Sequence, residues 1–245
     1  MKKQRLDDYL IEHKFCSGKD EAFVIITEGR VFMEGQKAVS SAQIITPSGK
    51  IEVRGEKKYV GRGAYKLEGA LDAFGVEVGG LVCIDIGAAT GGFTQVLLQR
   101  GAAKVYAIDT AKGKLAPKLR DDPRVVVMEE TDIRHVEKLP EFADLATIDI
   151  SLISIREILP HARRLLKPDG CVIALFKPQY ETRDPRILIH GIIRDATARV
   201  VLLENFIVWL GMHNWQVIKQ IESPIHGSGG NTEYLFKLRS LPLSS

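Results

Sequence analysis

An α/β chain, with a mostly parallel sheet covered by helices on both faces and a small α+β module in front of it, is what three observations predict. The run Val82 to Thr94, VCIDIGAATGGFT, passes from apolar residues through a glycine-rich turn into the periodic Phe93, Val96 and Leu97. That is the pattern of a buried strand turning tightly into a helix. Further apolar runs, KVYAID, Arg124 to Met128, Leu145 to Ile148 and Cys171 to Phe176, follow at the spacing of alternating strands and helices. Ahead of them, roughly 55 residues carry two short helical patterns and several short strand patterns, enough for a small module.

In chain order, Leu6, Leu10 and Ile11 recur at helical spacing. A second helix is expected after Ser17, whose hydroxyl caps it with Asp20 three residues on, and it runs through Ala22, Val24, Ile25 and Ile26 to a stop at Gly29. Val31-Phe32-Met33, the turn Glu34-Gly35, and the pieces Ile44-Ile45 and Ile51 to Val53 complete a first domain, 1–58. The polar stretch Glu56-Lys57-Lys58-Tyr59-Val60, followed by Gly61-Arg62-Gly63, marks the junction, with 59–63 as linker and 64–245 as the second domain.

The second domain opens with a helix from Lys66 to Phe74. After Asp109, the helix-like Leu115 to Leu119 stops at Asp121-Asp122-Pro123, and the strand Arg124 to Met128 leads to Thr131-Asp132. Leu145 to Ile148 ends in Asp149, followed by Ser151 and Ser154; Cys171 to Phe176 ends in Lys177, where Pro178 takes the chain out of the strand. A loop from Tyr180 to Ile193 carries Arg183, Arg186 and His190. A helix from Ala196 to Leu210 and strands Gln216 to Glu222 and Tyr234 to Leu238 close the sheet, the last after the turn Gly227-Ser228-Gly229-Gly230-Asn231 and Glu233.

Composition narrows the function classes. Over 245 residues the net charge is +3, mildly basic, which permits a nucleic-acid partner without requiring one. The 3 cysteines are too scattered for a disulfide framework or a zinc site, so no metal is expected. The start, MKKQRLDDYLIEH, has no apolar stretch behind its basic residues, and no run of about 18 apolar residues occurs, so neither secretion nor membrane spanning is expected. A cytoplasmic protein, monomeric by default, is the expectation.

The glycine turn points to a nucleoside cofactor. Asp109, about 24 residues after Asp85 at the end of the next strand, is placed to accept hydrogen bonds from ribose hydroxyls. The order Gly87, Gly91, Gly92 is not the G-x-G-x-x-G of a dinucleotide fold, and no lysine follows as in a phosphate loop. S-adenosylmethionine, which needs close backbone approach and a ribose acid but no phosphate cradle, fits. The expected contacts are Asp85, Gly87, Ala89, Thr90, Gly91, Gly92, Phe93 and Asp109, with Asp132 for an adenine amino group and Asp149 at the next strand end. A glycine turn that merely joins strand to helix is the plain alternative, and the paired acid argues against it. Lys66, Asp149, Lys177 and Glu233 recur at element ends beside this turn and suggest a reaction needing a base with a tunable amine.

Two resemblances sharpen this. RLDDYL, Ser17 with Lys19, the helix closing on Gly29-Arg30-Val31 and the turn Glu34-Gly35 are similar to the S-four RNA-binding domain. The resemblance implies RNA phosphate contacts from basic side chains, for which Lys2, Lys3, Arg5, Lys19, Arg30 and Arg62 are candidates. The family's Ser-Arg pair appears here as Ser17-Gly18-Lys19, the segment Ala38 to Gln43 lacks the usual lysine, and Asp7, Asp8 and Glu12 dilute the positive field.

DIGAATGGFT, TIDIS, FKPQYE and SPIHGSGGNTEYLF resemble the FtsJ-like ribose methyltransferases, and with the front module the chain resembles the TlyA family over nearly its whole length. The resemblance implies a Rossmann-like class I methyltransferase sheet and a Lys-Asp-Lys-Glu tetrad that carries over to Lys66, Asp149, Lys177 and Glu233. It implies methylation of a ribose 2′-hydroxyl in ribosomal RNA, in cytidine, with ribosomal RNA or a ribosomal subunit as partner. Lys177 is then general base or orienting amine, Asp149 its orienting partner, and Glu233 the holder of Lys66. Ala89 where serine is common, Thr110-Ala111-Lys112, Leu152 and the loop Thr182 to His190 depart from the pattern and bear on cofactor affinity and target choice. A non-catalytic RNA-binding protein on the same fold is the competing class, to be separated by S-adenosylmethionine titration. A haemolysin, a label carried by relatives, has no lytic sequence feature behind it.

Overall fold

The computed structural model describes residues 3–46, 50–55, 58–227 and 230–242. Lys2, the Glu56-Lys57 part of the expected junction and the Ser228-Gly229 part of the last turn lie outside these residues. The chain divides into two units, Met1–Ala64 and Tyr65–Ser245.

In the first unit, β1 (Gln4–Arg5) leads into α1 (Leu6–Glu12) and α2 (Lys19–Thr27), followed by β2 (Val31–Met33), β3 (Gln36–Lys37), β4 (Ile44–Ile45) and β5 (Ile51–Val53). The strands form two small antiparallel sheets, β1 with β4 and β3-β2-β5. Leu6, Leu10, Ala22, Ile25, Ile26 and Val31 close one core, which is why the helical spacing of the sequence was legible. The start of α2 differs from the expectation. Its N-cap is Gly18, with no side-chain cap, and Ser17 instead donates its N–H and hydroxyl to Glu21. Ser17 stands one residue too early to reach the first turn, so the glutamate at the third helical position reaches back to it. Lys58, the last residue of the expected first domain, and Tyr59, the first of the expected linker, are both fastened to the first unit: their N–H groups donate to Glu28 at 2.6 and 3.1 Å.

After α3 (Gly63–Phe74), whose first residues Gly63 and Ala64 belong to the first unit, the second unit holds β6 (Val82–Ile86), α4 (Gly92–Gln99), β7 (Lys104–Ile108), α5 (Pro117–Arg120), β8 (Val125–Met128), β9 (Ala143–Ile148) and α6 (Leu159–Leu165). It continues through β10 (Leu166–Phe176), α7 (Pro178–Glu181), α8 (Ala196–Met212), β11 (Trp215–Glu222) and β12 (Tyr234–Ser240). The seven strands are ordered β11-β12-β10-β9-β6-β7-β8. β6 to β10 run parallel, and β12 lies antiparallel between β10 and β11. The expected α/β class with a mostly parallel sheet is therefore what the chain adopts.

Alternation along the strands sends Ile84, Ile86, Tyr106, Ala146, Ile148, Val172, Ala174 and Phe236 into one core with α6 and α8. Cys83, Val105, Ala107, Leu145, Ile173 and Leu235, on the opposite phase, are equally buried, so both faces are covered. Phe206 of α8 stacks on Phe176 at 4.5 Å and meets Phe236 edge-on at 5.2 Å. On β11, Lys219 donates to the last carbonyls of α3, Ala73 and Phe74, both at 3.3 Å, which satisfies orphan acceptors at a helix end.

The order of strand addition reverses between β6 and β9: β7 and β8 are added on one side of β6, and β9 and β10 on the other. Ligands of open α/β sheets bind at the carboxyl ends of strands at such a point. Those ends carry the glycine turn, Asp109, Asp149 and Lys177.

Candidate active site

The turn after β6 is built from beneath. Asp85 is fully buried, with Thr94 donating to one carboxylate oxygen at 2.6 Å and Thr147 to the other at 3.1 Å. It thus ties α4 and β9 to the strand and exposes no surface to a ligand, so its place is that of an anchor rather than a cofactor contact. Burial pushes the Asp85 carboxyl up to about 6, with the two threonine hydrogen bonds opposing and Asp149 adding to the rise.

A carboxyl raised from 3.8 to about 6 on folding contributes stability that is present below the lower value and lost as pH rises through the upper one. The loss amounts to about 3 kcal/mol between pH 4 and 7. Asp85→Asn keeps the shape and cannot ionise. Denaturant unfolding of both proteins should therefore show the wild type losing stability relative to the variant as pH rises from about 4 to 7. A constant difference across that range would contradict the burial of the charge.

Gly87, with φ of 86°, lies hard against the main chain after β9: a Cβ there would lie 2.4 Å from the Asp149 carbonyl oxygen. Ala89 also has positive φ, at 47°, an arrangement that costs about 1 kcal/mol for a residue with a side chain. Its N–H donates to Asp109 at 2.8 Å, and the other Asp109 oxygen accepts from Ala111 N at 2.7 Å. Asp109 therefore fixes the turn while keeping lone pairs on a half-buried carboxylate. Ala89 and Thr90 are exposed on the rim, whereas Gly91, Gly92 and Phe93 are buried where α4 begins. Asp132 caps a short helical turn and is clamped by Arg134, at 2.7 Å, which holds its carboxyl near 2.

Four of the ionisable side chains singled out by sequence come together as two ion pairs. Lys66 Nζ lies 2.6 Å from Glu233 Oε2, both buried, and Lys177 Nζ lies 2.6 Å from Asp149 Oδ1. Lys66 projects from the first turns of α3, Asp149 follows β9, Lys177 follows β10, and Glu233 precedes β12. Burial pulls the Lys177 amine down, but the charge and hydrogen bond of Asp149, with smaller contributions from Glu233 and Tyr180, outweigh it. The net effect is a pKa above the ordinary lysine value. In the resting protein Lys177 is an ammonium.

Several residues that the sequence did not single out complete the site. Ser151 Oγ accepts from Lys177 Nζ at 3.1 Å, and Gln179 Nε2 donates to Glu233 Oε1 at 3.4 Å. Gly227 leaves room for Glu233, since a Cβ there would lie 2.1 Å from Oε1. Asn231 ties its loop to the preceding one, accepting from Ile193 N at 3.1 Å and donating to Gly191 O at 2.9 Å. The signals were present in Ser151, two residues after Asp149, and in Gln179, two after Lys177. Only Gly227 depends wholly on a contact that sequence spacing cannot show.

The basic residues expected to meet RNA behave differently from one another within the first unit. Lys3 and Lys19 are exposed, Lys19 lying 3.3 Å from Asp8, and Arg5 is paired with Asp7 at 2.6 Å. Arg30 is largely withdrawn: it donates to the carbonyls of Arg54 and Gly55 and pairs with Glu28, pinning the module's own loop. Arg62 stacks over the Phe23 ring at 4.5 Å. Among the described residues no group of three or more His, Cys, Asp or Glu is placed to hold a metal ion, and no helix is long and apolar enough to cross a membrane.

The FtsJ-like methyltransferase model matches residues 59–240. A 16S/23S rRNA (cytidine-2′-O)-methyltransferase TlyA from Mycobacterium tuberculosis is 37% identical over 98% of this chain and 91% of its own length. Hemolysin A from Brachyspira hyodysenteriae is 38% identical over 94% of this chain and 98% of its own. A solved structure described as a hemolysin from Streptococcus thermophilus superposes with a TM-score of 0.75 at 35% identity, covering 98% of this chain and 89% of that one. With a parallel sheet, a glycine turn and two lysine–carboxylate pairs at its strand ends, the chain belongs to the TlyA family of FtsJ-like methyltransferases.

Proposed function

We propose that this protein uses S-adenosylmethionine to methylate a ribose 2′-hydroxyl of ribosomal RNA, in cytidine, with Lys177 removing the hydroxyl proton. The observation that carries the reading is the gathering of Lys177 with Asp149 and of Lys66 with Glu233 at the sheet's carboxyl ends. The relatives named as rRNA (cytidine-2′-O)-methyltransferases supply the substrate class.

The residues present fit the cofactor. Carboxylates from Asp109, Asp132 and Asp149 follow three strands, a set of acceptors suited to a cationic nucleoside with hydroxyl and amino groups and unsuited to phosphate. S-adenosylmethionine, when bound, supplies a methyl group made electrophilic by its sulfonium. Asp109 would hold the ribose, Asp132 the adenine edge, and the Gly87 turn admits the close approach.

The chain's own chemistry concerns one proton and one oxygen. Asp149 and Ser151 fix Lys177 Nζ from two sides, so its remaining hydrogen or lone pair has a defined direction. A 2′-hydroxyl is a weak nucleophile and gains from losing its proton to Nζ as it reacts. Lys66, neutralised by Glu233, contributes a buried ammonium that orients the hydroxyl without adding net charge. The first unit, with Lys3 and Lys19, offers sequence-independent phosphate contacts. The reading implies a monomer working in the cytoplasm.

Purified protein, tritiated S-adenosylmethionine and ribosomal subunits from cells lacking the protein provide the test. Label should enter rRNA, map by mass to 2′-O-methylcytidine in the intact nucleoside, and stay with the ribose when the base is removed. Absence of S-adenosylmethionine uptake in calorimetric titration would favour the non-catalytic RNA-binding class, and label on a base would overturn the ribose assignment.

A further inference from the structure

Glu181 lies outside the two ion pairs, at the end of α7, four residues after Lys177. Its side chain is 2% exposed. One carboxylate oxygen accepts from Ser154 Oγ at 2.7 Å and the other from Ile155 N at 2.8 Å. Ser154 Oγ in turn accepts from Arg156 N at 3.2 Å, capping the short helical turn Ile155–Glu157. Arg156 reaches to 3.5 Å from the same carboxylate, with its guanidinium over the rings of Phe206 and Trp209.

We infer that Glu181 is a positioning residue for methyl transfer, bolting the segment that carries Asp149 and Ser151 to the short helix that begins beside Lys177. The inference rests on the methyltransferase reading above for its kinetic consequence.

Asp149 and Ser151 lie on an irregular connection between β9 and the turn at Ile155–Glu157, and Leu152 within it has φ of 75°. Upstream, Asp149 N is held by Ile86 O at 3.0 Å. Downstream, both donors at Ser154 and Ile155 go to Glu181. Lys177 and Glu181 are the two ends of one continuous piece, Lys177 to Glu181, with Tyr180 N bonded to Lys177 O at 2.9 Å. The separation between Lys177 Nζ and its two acceptors is therefore set by a loop pinned at each end, and Glu181 is the downstream pin. A two-point carboxylate clamp gives more angular control than an apolar contact would.

The charges facing each group define the expected pH behaviour. Lys177 meets Asp149 from the end of β9, Glu233 from the approach to β12 and Tyr180 from α7. Glu181 meets Arg156 and Glu157. Removing the clamp leaves Glu233 and Tyr180 in place and loosens Asp149. The Lys177 amine then loses a proton at lower pH than in the wild type.

Two measurements test this, on the full chain. In steady-state methyl transfer to ribosomal subunits, Glu181→Ala should lower kcat by about 100-fold with KM for both substrates changed little, the size expected for a misplaced reacting group. The alkaline limb of its rate profile should move to lower pH. Glu181→Gln, whose amide accepts from Ile155 N and donates to Ser154 Oγ, should recover most of the rate.

Trace acetylation with acetic anhydride at pH 9, read by mass spectrometry against exposed Lys118, needs no turnover. Lys177 should react faster in Glu181→Ala than in wild type or Glu181→Gln. Equal acetylation of Lys177 in all three proteins overturns the inference, as does a rate loss in Ala and Gln variants alike that follows only their thermal midpoints. If wild type transfers no methyl group while the acetylation difference appears, the functional reading fails and the positioning role stands.

Discussion

Lys177→Arg should abolish methyl transfer, with kcat falling about 1,000-fold, within the range that general acid–base groups contribute. The substitution keeps a cation beside Asp149, so the ion pair persists and unfolding stability and S-adenosylmethionine uptake should change little. What it removes is a group able to become neutral: guanidinium holds its proton throughout the accessible pH range and is planar and forked where an amine is a point. The raised pKa of Lys177 adds a second expectation. Because Asp149 and Glu233 favour the ammonium, the neutral amine is scarce near pH 7. The wild-type rate should climb about tenfold per pH unit across the neutral and mildly alkaline range. Near-normal turnover by the arginine variant, measured by single-turnover label transfer, would remove Lys177 from the proton-transfer step. A flat wild-type profile would make it an orienting ammonium instead.

Gly227→Ala should be nearly as damaging, from outside the ionisable set. The added methyl would sit 2.1 Å from Glu233 Oε1, so either the carboxylate leaves Lys66 or the loop leaves the site. A buried lysine left without its partner costs about 3–5 kcal/mol, so denaturant unfolding should register a loss of that order. Methyl transfer should fall by at least about tenfold as the oriented amine is lost. Gly211→Ala, in α8 with nothing within 4 Å of the new methyl, is the control and should be neutral or stabilising by up to about 1 kcal/mol. If Gly227→Ala unfolds and turns over like wild type, the Lys66–Glu233 pair does not depend on the loop as the geometry requires.

Much of the fold was legible because its signals are local. The β6 turn announces itself by an apolar run, an acid and three glycines, and α8 by a long apolar stretch ending before His213 and Asn214. The parts that were not legible depend on tertiary context. β10 begins at Leu166 rather than Cys171, since a register shift between Leu166 and Cys171 carries Lys167 to Gly170 along the edge of β9. β1 and β3 are two-residue strands that exist only by pairing with β4 and β2. α6 escaped because Leu159, Ala162 and Leu165 give just two helical turns.

The site followed the same division. The four ionisable residues could be chosen because each ends or begins an element, and their meeting is a property of the sheet order. Asp85 stands before the glycines where a ligand-facing acid is expected, but burial turns it into an anchor held by Thr94 and Thr147. The charge of Arg30 suits it to a phosphate, but three contacts within its own module claim it.

Lys66 and Glu233 are separated by 167 residues, and Glu233 immediately precedes the strand that slots between β10 and β11. Contacts so distant in sequence form late, after the loop-closure entropy of the intervening chain has been overcome. Until β12 has paired with β10 and β11, no Lys66–Glu233 ion pair can exist, so a partly folded chain with that edge of the sheet open leaves Lys66 unmatched.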